Sequence, residues 1–115
     1  MGQGSIIGYE INEKTCQISF YNEKDLEPDT LEVDTDNYQI PLIIGKLRDT
    51  WAYGKEAKRL VTIKEGFTAT RLLSKSLAGD KIEFGEETYD AVWLLSQFIQ
   101  MSLQSFPEID GIVFT

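Results

Sequence analysis

Along Thr15 to Tyr21 apolar and polar residues alternate, with Cys16, Ile18 and Phe20 on one side and Thr15, Gln17 and Ser19 on the other. A period of two is that of a half-buried strand. Ser5 to Ile11, short and rich in β-branched residues, predicts a strand just before it, and Asn12-Glu13-Lys14 a tight turn between the two. Asn22 to Pro28 is polar and turn-prone, Thr30 to Val33 reads as a short strand and Asp34 to Asn37 as a loop. Gln39 to Leu47 predicts one further strand, with Pro41 near its start, where a missing N–H suits an edge. Trp51 to Gly54 is a short extended piece and Lys55 to Leu60 a helical turn. Gly66 to Ser76 reads as a second helix, stopped by Gly79, and Lys81 to Phe84 as a short strand ended by Gly85.

Residues 86–105 carry the strongest helical signal. Glu86, Glu87 and Asp90 crowd the predicted first turn, where acids suit the helix dipole. Val92, Leu95, Phe98, Ile99, Ser102, Leu103 and Phe106 recur at helical spacing, with Trp93, Leu94 and Met101 widening the stripe. Pro107 stops the helix, and Ile109 to Thr115 is nearly all apolar, which predicts a central strand buried on both faces. Hairpins, a helical insert at about 48–85, a long helix and a final strand make an α/β domain. Its sheet is mixed: an antiparallel meander, then a right-handed crossover to a strand beside and parallel to the first. The long helix covers one face only, so residues 1–115 are expected to be one domain, the N-terminal part of a longer protein. The uncovered apolar face or the open strand edge predicts a homodimer of the isolated chain.

Charge narrows the function. Eleven basic and nineteen acidic residues leave a net charge of −8, which repels phosphate backbones and anionic lipid, so neither nucleic acid nor a membrane is an expected partner. Residues 10–36 hold nine acids against Lys14 and Lys24, while residues 46–64 hold six bases against Asp49 and Glu56. The two blocks read as solvated hairpin and helix faces, or the second as a basic rim facing a phosphate or an acidic partner. No stretch of eighteen apolar residues exists, and the start Met1-Gly2-Gln3-Gly4-Ser5 lacks the pattern of a secretory signal, so a cytoplasmic location is expected. The single Cys16 has no partner for an internal bridge and fits a reducing compartment, with core filling or a strand surface as its role. Without histidine there is no Ser-His-Asp triad, Cys-His pair or zinc-histidine site. No spacing singles out a catalytic carboxylate pair, and no catalytic or metal-binding residue is assigned.

Four stretches, in order, carry a resemblance. Ile6-Ile7-Gly8-Tyr9-Glu10-Ile11-Asn12-Glu13-Lys14 is similar to I-I-G-I-D-L-G-T-T, and Ile40-Pro41-Leu42-Ile43-Ile44 to T-P-S-I-I. Gly54-Lys55-Glu56-Ala57-Lys58-Arg59 is similar to G-x-x-A-K-R, and Phe67-Thr68-Ala69-Thr70-Arg71-Leu72-Leu73 to F-x-x-K-R-L-I. The ending Ile109 to Thr115 is similar to the strand that leads into V-I-T-V-P. Together they resemble the N-terminal lobe of the heat-shock chaperone ATPases, in the actin/hexokinase/chaperone ATPase superfamily. The resemblance implies a ribonuclease H-like sheet and a truncated actin-like ATPase lobe.

It also implies where chemistry has been lost. In the family the first hairpin turn holds phosphates, through glycine, threonine hydroxyls and backbone amides. The equivalents here are Glu10, Asn12, Glu13 and Lys14: Glu10 lengthens the carboxylate, Asn12 replaces glycine, and Glu13 brings negative charge towards a phosphate. Asn12 is expected to sustain the turn because it tolerates the left-handed conformation. Thr70 stands at the catalytic lysine's position, followed by the matching Arg71, and Lys75 is displaced along the helix. No cofactor is expected in this chain, with ATP and magnesium left to a longer parent. The implied function is a degenerate lobe serving protein interaction or scaffolding, with its nucleotide chemistry weakened or lost. Two alternatives stay open: the first lobe of a working ATP-binding chaperone-like protein, and an unrelated small α/β binding module.

Overall fold

The computed structural model describes residues 5–21, 29–30, 39–104, 106 and 109–115. The alternation at the start becomes a hairpin: β1 (Ser5–Ile11) pairs antiparallel with β2 (Thr15–Tyr21), from Ile6 opposite Tyr21 to Ile11 opposite Cys16. Ile7, Tyr9, Cys16 and Ile18 are buried on one face, as a period of two requires. The other edge of β2 is shared by β3 (Asp29–Thr30) and β4 (Gln39–Pro41). The rest of the strand predicted over 30–33 lies outside the described residues.

The single strand predicted over 39–47 is two. Ile40, Leu42 and Ile44 all point into the core, but the pairing changes hands. β4 stays with β2, the Leu42 N–H donates to the Lys14 carbonyl at 2.8 Å, and β5 (Ile44–Leu47) opens a second sheet. Pro41, with no N–H to donate, sits where the first ladder ends. In the second sheet β6 (Thr50–Tyr53) flanks β5 on one side and β7 (Phe67–Ala69) on the other, both antiparallel. Between them α1 (Lys55–Ile63) buries Ala57 and Leu60.

The helix predicted over 66–76 is therefore corrected: Phe67 to Ala69 pair with Ile44 to Lys46, and α2 (Leu72–Ala78) begins only at Leu72, ending at Gly79 as expected. The helix predicted over 86–105 is shorter for a similar reason. β8 (Lys81–Phe84) turns at Gly85, whose φ is 66°, and returns as β9 (Glu87–Asp90). Cross-strand pairing of Ile82 with Tyr89 outweighs the acids that suited a helix start. α3 (Ala91–Ser102) follows, its first N–H bonded to the Asp80 carbonyl at 2.9 Å. Among the described residues no helix is long and apolar enough to cross a membrane.

α3 joins the two larger sheets. It buries Ala91, Leu94, Phe98 and Ser102, a narrower and rotated stripe compared with the predicted one, since Val92 is 54% exposed. Leu94 and Phe98 pack with Ile7, Tyr9 and Ile18 of the first sheet and with Ile44 and Ala69 of the second, in one core. Ser102 belongs in that stripe because Tyr9 is fully buried and its hydroxyl needs a partner: the two hydroxyls are 2.7 Å apart, and Ser102 also donates to the Ile99 carbonyl.

The last strand, β10 (Ile109–Phe114), lies beside β1 and parallel to it, as predicted. The chain is thus α/β with a mixed sheet, ordered β10-β1-β2-β3. The expectation of a central strand buried on both faces is overturned. Among the described residues β10 is at the sheet edge, and Ile112, Val113 and Phe114 are 38, 57 and 53% exposed. On the face away from α3, β1 and β2 carry Ile6, Gly8, Glu10, Thr15, Gln17 and Ser19, while β10 adds the exposed Val113 opposite Gly8, so this face is mixed rather than apolar throughout.

Cys16 is buried and its thiol donates to the Tyr9 hydroxyl at 3.6 Å. Burial pushes the thiol up to about 11 from its ordinary value near 9, the bond to Tyr9 opposing weakly. The fold thus favours the neutral thiol; the stability this confers is complete below pH 9 and is lost as pH rises towards 11. Tyr9, raised by burial, adds to the loss only above its own unfolded value of 10. Urea melts should show stability falling by about 1 kcal/mol on going to about pH 10, a fall that Cys16→Ala lacks. Equal pH slopes for the two proteins would refute the assignment.

Candidate functional site

The turn between β1 and β2 closes on one side-chain oxygen. Asn12 Oδ1 accepts from the Lys14 and Thr15 N–H groups, both at 2.9 Å, and from Thr15 Oγ1 at 3.3 Å. The Asn12 N–H in turn donates to the Thr15 carbonyl at 3.0 Å. This is an Asx-type turn, in which asparagine's short side chain replaces a backbone acceptor. The expected left-handed asparagine is not used: among the described non-glycine residues the positive φ values belong to Arg48, Lys64 and Arg71.

The turn is not isolated. Glu13 and Lys14 line a cavity of about 200 Å³ together with Leu42, Ile43, Thr70 and Arg71. The bond from Leu42 N–H to Lys14 O draws the β4–β5 link beneath the turn, and the β7–α2 link supplies the opposite wall. Arg71 is held there at φ 54°, its carbonyl accepting the first hydrogen bond of α2 from Lys75. A non-glycine residue in this region stores about 1–2 kcal/mol. The structure therefore brings together Glu13, Lys14, Thr70 and Arg71. Glu10 is exposed and, by alternation, on the sheet face away from α3, and neither it nor Lys75 lines the cavity.

Chemically the cavity is a poor phosphate cradle. The Lys14 and Thr15 amides of the turn already donate to Asn12 Oδ1, Glu13 is among the lining residues, and Thr70 carries no charge. Lys14 and Arg71 are the cations lining it. Among the described residues no group of three or more Asp, Glu or Cys side chains is placed to hold a metal ion. The residues present do not fit magnesium-ATP.

A second, open cavity of about 430 Å³ lies between the β5–β6 hairpin and α1, lined by Arg48, Arg59 and Glu56 together with apolar Leu47, Leu60 and Ile63. Part of the basic block thus lines a groove, but Lys46 does not belong to it. Its ammonium lies 5.2 Å from the centre of the Trp51 ring and 5.9 Å from that of Tyr89. It donates to the Tyr89 hydroxyl at 3.2 Å and to both oxygens of Glu87 at 3.4 Å. Tyr89 donates to Glu87 as well. That bond first, and Lys46 second, hold the Glu87 carboxyl below its ordinary range, while the same cluster raises Lys46. Sequence reasoning missed this cluster. Tyr89 at the end of β9 and Trp93 in the first turn of α3 stack at 5.3 Å because the strand runs directly into the helix.

No curated protein matches the chain. Residues 27–115, which include the β7–α2 link and the aromatic cluster but not the Asn12 turn, match the C-terminal part of DUF5716, a family of unknown function, and the chain belongs to that family.

Proposed function

We propose that the chain is a degenerate lobe of the chaperone- and actin-like ATPase type, ribonuclease H-like in its main sheet, that works in the cytoplasm through protein contacts, its nucleotide chemistry weakened or lost. The strand order β3-β2-β1-β10, with β10 parallel after a helical crossover, supports the lobe. So does the meeting of residues 13–14 with residues 70–71 on one cavity, since these are the stretches that the resemblance assigns to phosphate and catalysis. The observation that carries the loss is Asn12: its carboxamide oxygen takes the donors that a phosphate would need.

Lys14 and Arg71 on that cavity favour a second reading, a lobe that still takes part in ATP binding within a longer protein. Titration calorimetry with magnesium-ATP separates the two. The expected result, for this chain and for any longer protein that contains it, is no saturable heat below about 1 mM, a binding free energy weaker than about −4 kcal/mol. Micromolar binding, weakened by Arg71→Ala, would establish the second reading instead.

A further inference from the structure

Trp51 and Trp93 are the only tryptophans in the chain, and both lie on one patch of surface. The Trp93 ring stacks on Tyr89 at 5.3 Å, Tyr89 meets Trp51 edge-on at 5.4 Å, and Phe84 joins them and stacks on Phe67. These rings come from β6, β7, the β8–β9 hairpin and the first turn of α3. Phe84 is buried, but the rings at the two ends of the row stay open: Trp93 is 45% and Phe67 46% exposed. Large rings left open at one place are what partner surfaces are made from.

The charges decide what fits. α3 carries no ionisable residue, and the β8–β9 hairpin beside it, residues 81–90, holds Glu83, Glu86, Glu87 and Asp90 against Lys81. Glu87 is 60% exposed. The patch already accommodates a cation, since Lys46 rests over Trp51 and Tyr89 and pairs with Glu87. Trp93, half exposed and stacked on Tyr89, whose hydroxyl bonds the Glu87 carboxylate, suits a second cation, with the planar guanidinium of arginine fitting best.

Building on the reading that this chain acts through protein contacts, we propose that the Trp93–Tyr89–Glu87 surface docks an arginine-rich segment of a partner protein. Arginine stacks on the exposed face of Trp93, and Glu87 and Glu86 supply the acceptors. Lys46 holds Tyr89 and Glu87 in place from beneath.

Tryptophan fluorescence reads the surface directly. The probe is a Gly-Arg repeat peptide titrated into the chain, with a Gly-Glu repeat as its counterpart. The expected result is a saturable change in emission with the arginine peptide and none with the glutamate peptide. Trp93→Phe keeps most of the affinity, whereas Trp93→Ala loses about fivefold and Trp93→Lys more, with Trp51 still reporting in each. Equal affinity for wild type and both Trp93→Ala and Trp93→Lys would reduce the effect to diffuse attraction by a net charge of −8 and overturn the proposal. An emission shift that follows protein concentration without peptide, with a doubled mass in sedimentation, would assign the face to a second copy and overturn it too. No nucleotide is present in this titration, so its failure removes the docking face and leaves the reading of the Asn12 turn to calorimetry.

Discussion

Phe98→Ala should lower the unfolding free energy by about 3–5 kcal/mol, a large share of what a domain of this size possesses. Phe98 is fully buried at the point where α3 meets both larger sheets. Its ring stands edge-on to Tyr53 of β6 at 5.7 Å and 89°, while its neighbours in the core include Ile7, Tyr9 and Ile18 of the first sheet. Removing it leaves a cavity bordered by elements that cannot all close on it at once, so the lost transfer energy and the void add. Val92→Ala, on the same helix but 54% exposed, should stay within about 0.5 kcal/mol. Urea denaturation of the two variants checks this. A loss at Phe98 no larger than that at Val92 would mean that the two sheets do not share one core.

The second large effect is expected at Gly66, which enters β7 with φ 68°. A Cβ built there would meet the Lys46 carbonyl oxygen at 2.6 Å and the Leu47 Cα at 3.2 Å, both backbone atoms of the paired strand. Gly66→Ala therefore combines left-handed strain with a clash that rotamer change cannot relieve, and about 2–4 kcal/mol is expected. Gly79→Ala is the control: its φ is 72°, but nothing lies within 4 Å of the added carbon. It should cost about 1–2 kcal/mol, the strain alone. Because Phe67 is paired with Lys46, the Gly66 variant should also disturb the emission of Trp51, which lies against the Lys46 ammonium. Equal losses at the two glycines would show that β7 can move away from β5 without penalty.

The contrast between the two halves of the candidate site shows how far residue patterns reach. The Asn12 turn was legible because its length and its flanking alternation are local, and the substitutions that spoil it for phosphate could be read one residue at a time. Its mechanism was not legible: asparagine works through side-chain hydrogen bonds at ordinary φ, not through the left-handed backbone. Thr70 and Arg71 were identified through resemblance, but their meeting with Glu13 and Lys14 depends on the Leu42–Lys14 bond and on β7 pairing with β5. The Lys46 cluster had no comparable signal, since its lysine, Trp51 and Glu87 are spread over three separate strands.

What the residue order determined by itself was whatever a period of two or a short turn can encode. The β1–β2 hairpin, the existence of a long apolar helix and the parallel placement of the last strand beside the first all follow from spacing, turn chemistry and crossover handedness, while the stop assigned to Pro107 lies outside the described residues. Tertiary structure decided the rest. Residues 67–69 and 87–90 have helical neighbours, and became strands because partners far away in sequence, or across a turn, offered them a ladder. β10 is apolar on both faces, yet among the described residues it lies at an edge of this sheet, because burial depends on how many strands and helices stand beside a segment, and no run of residues carries that count.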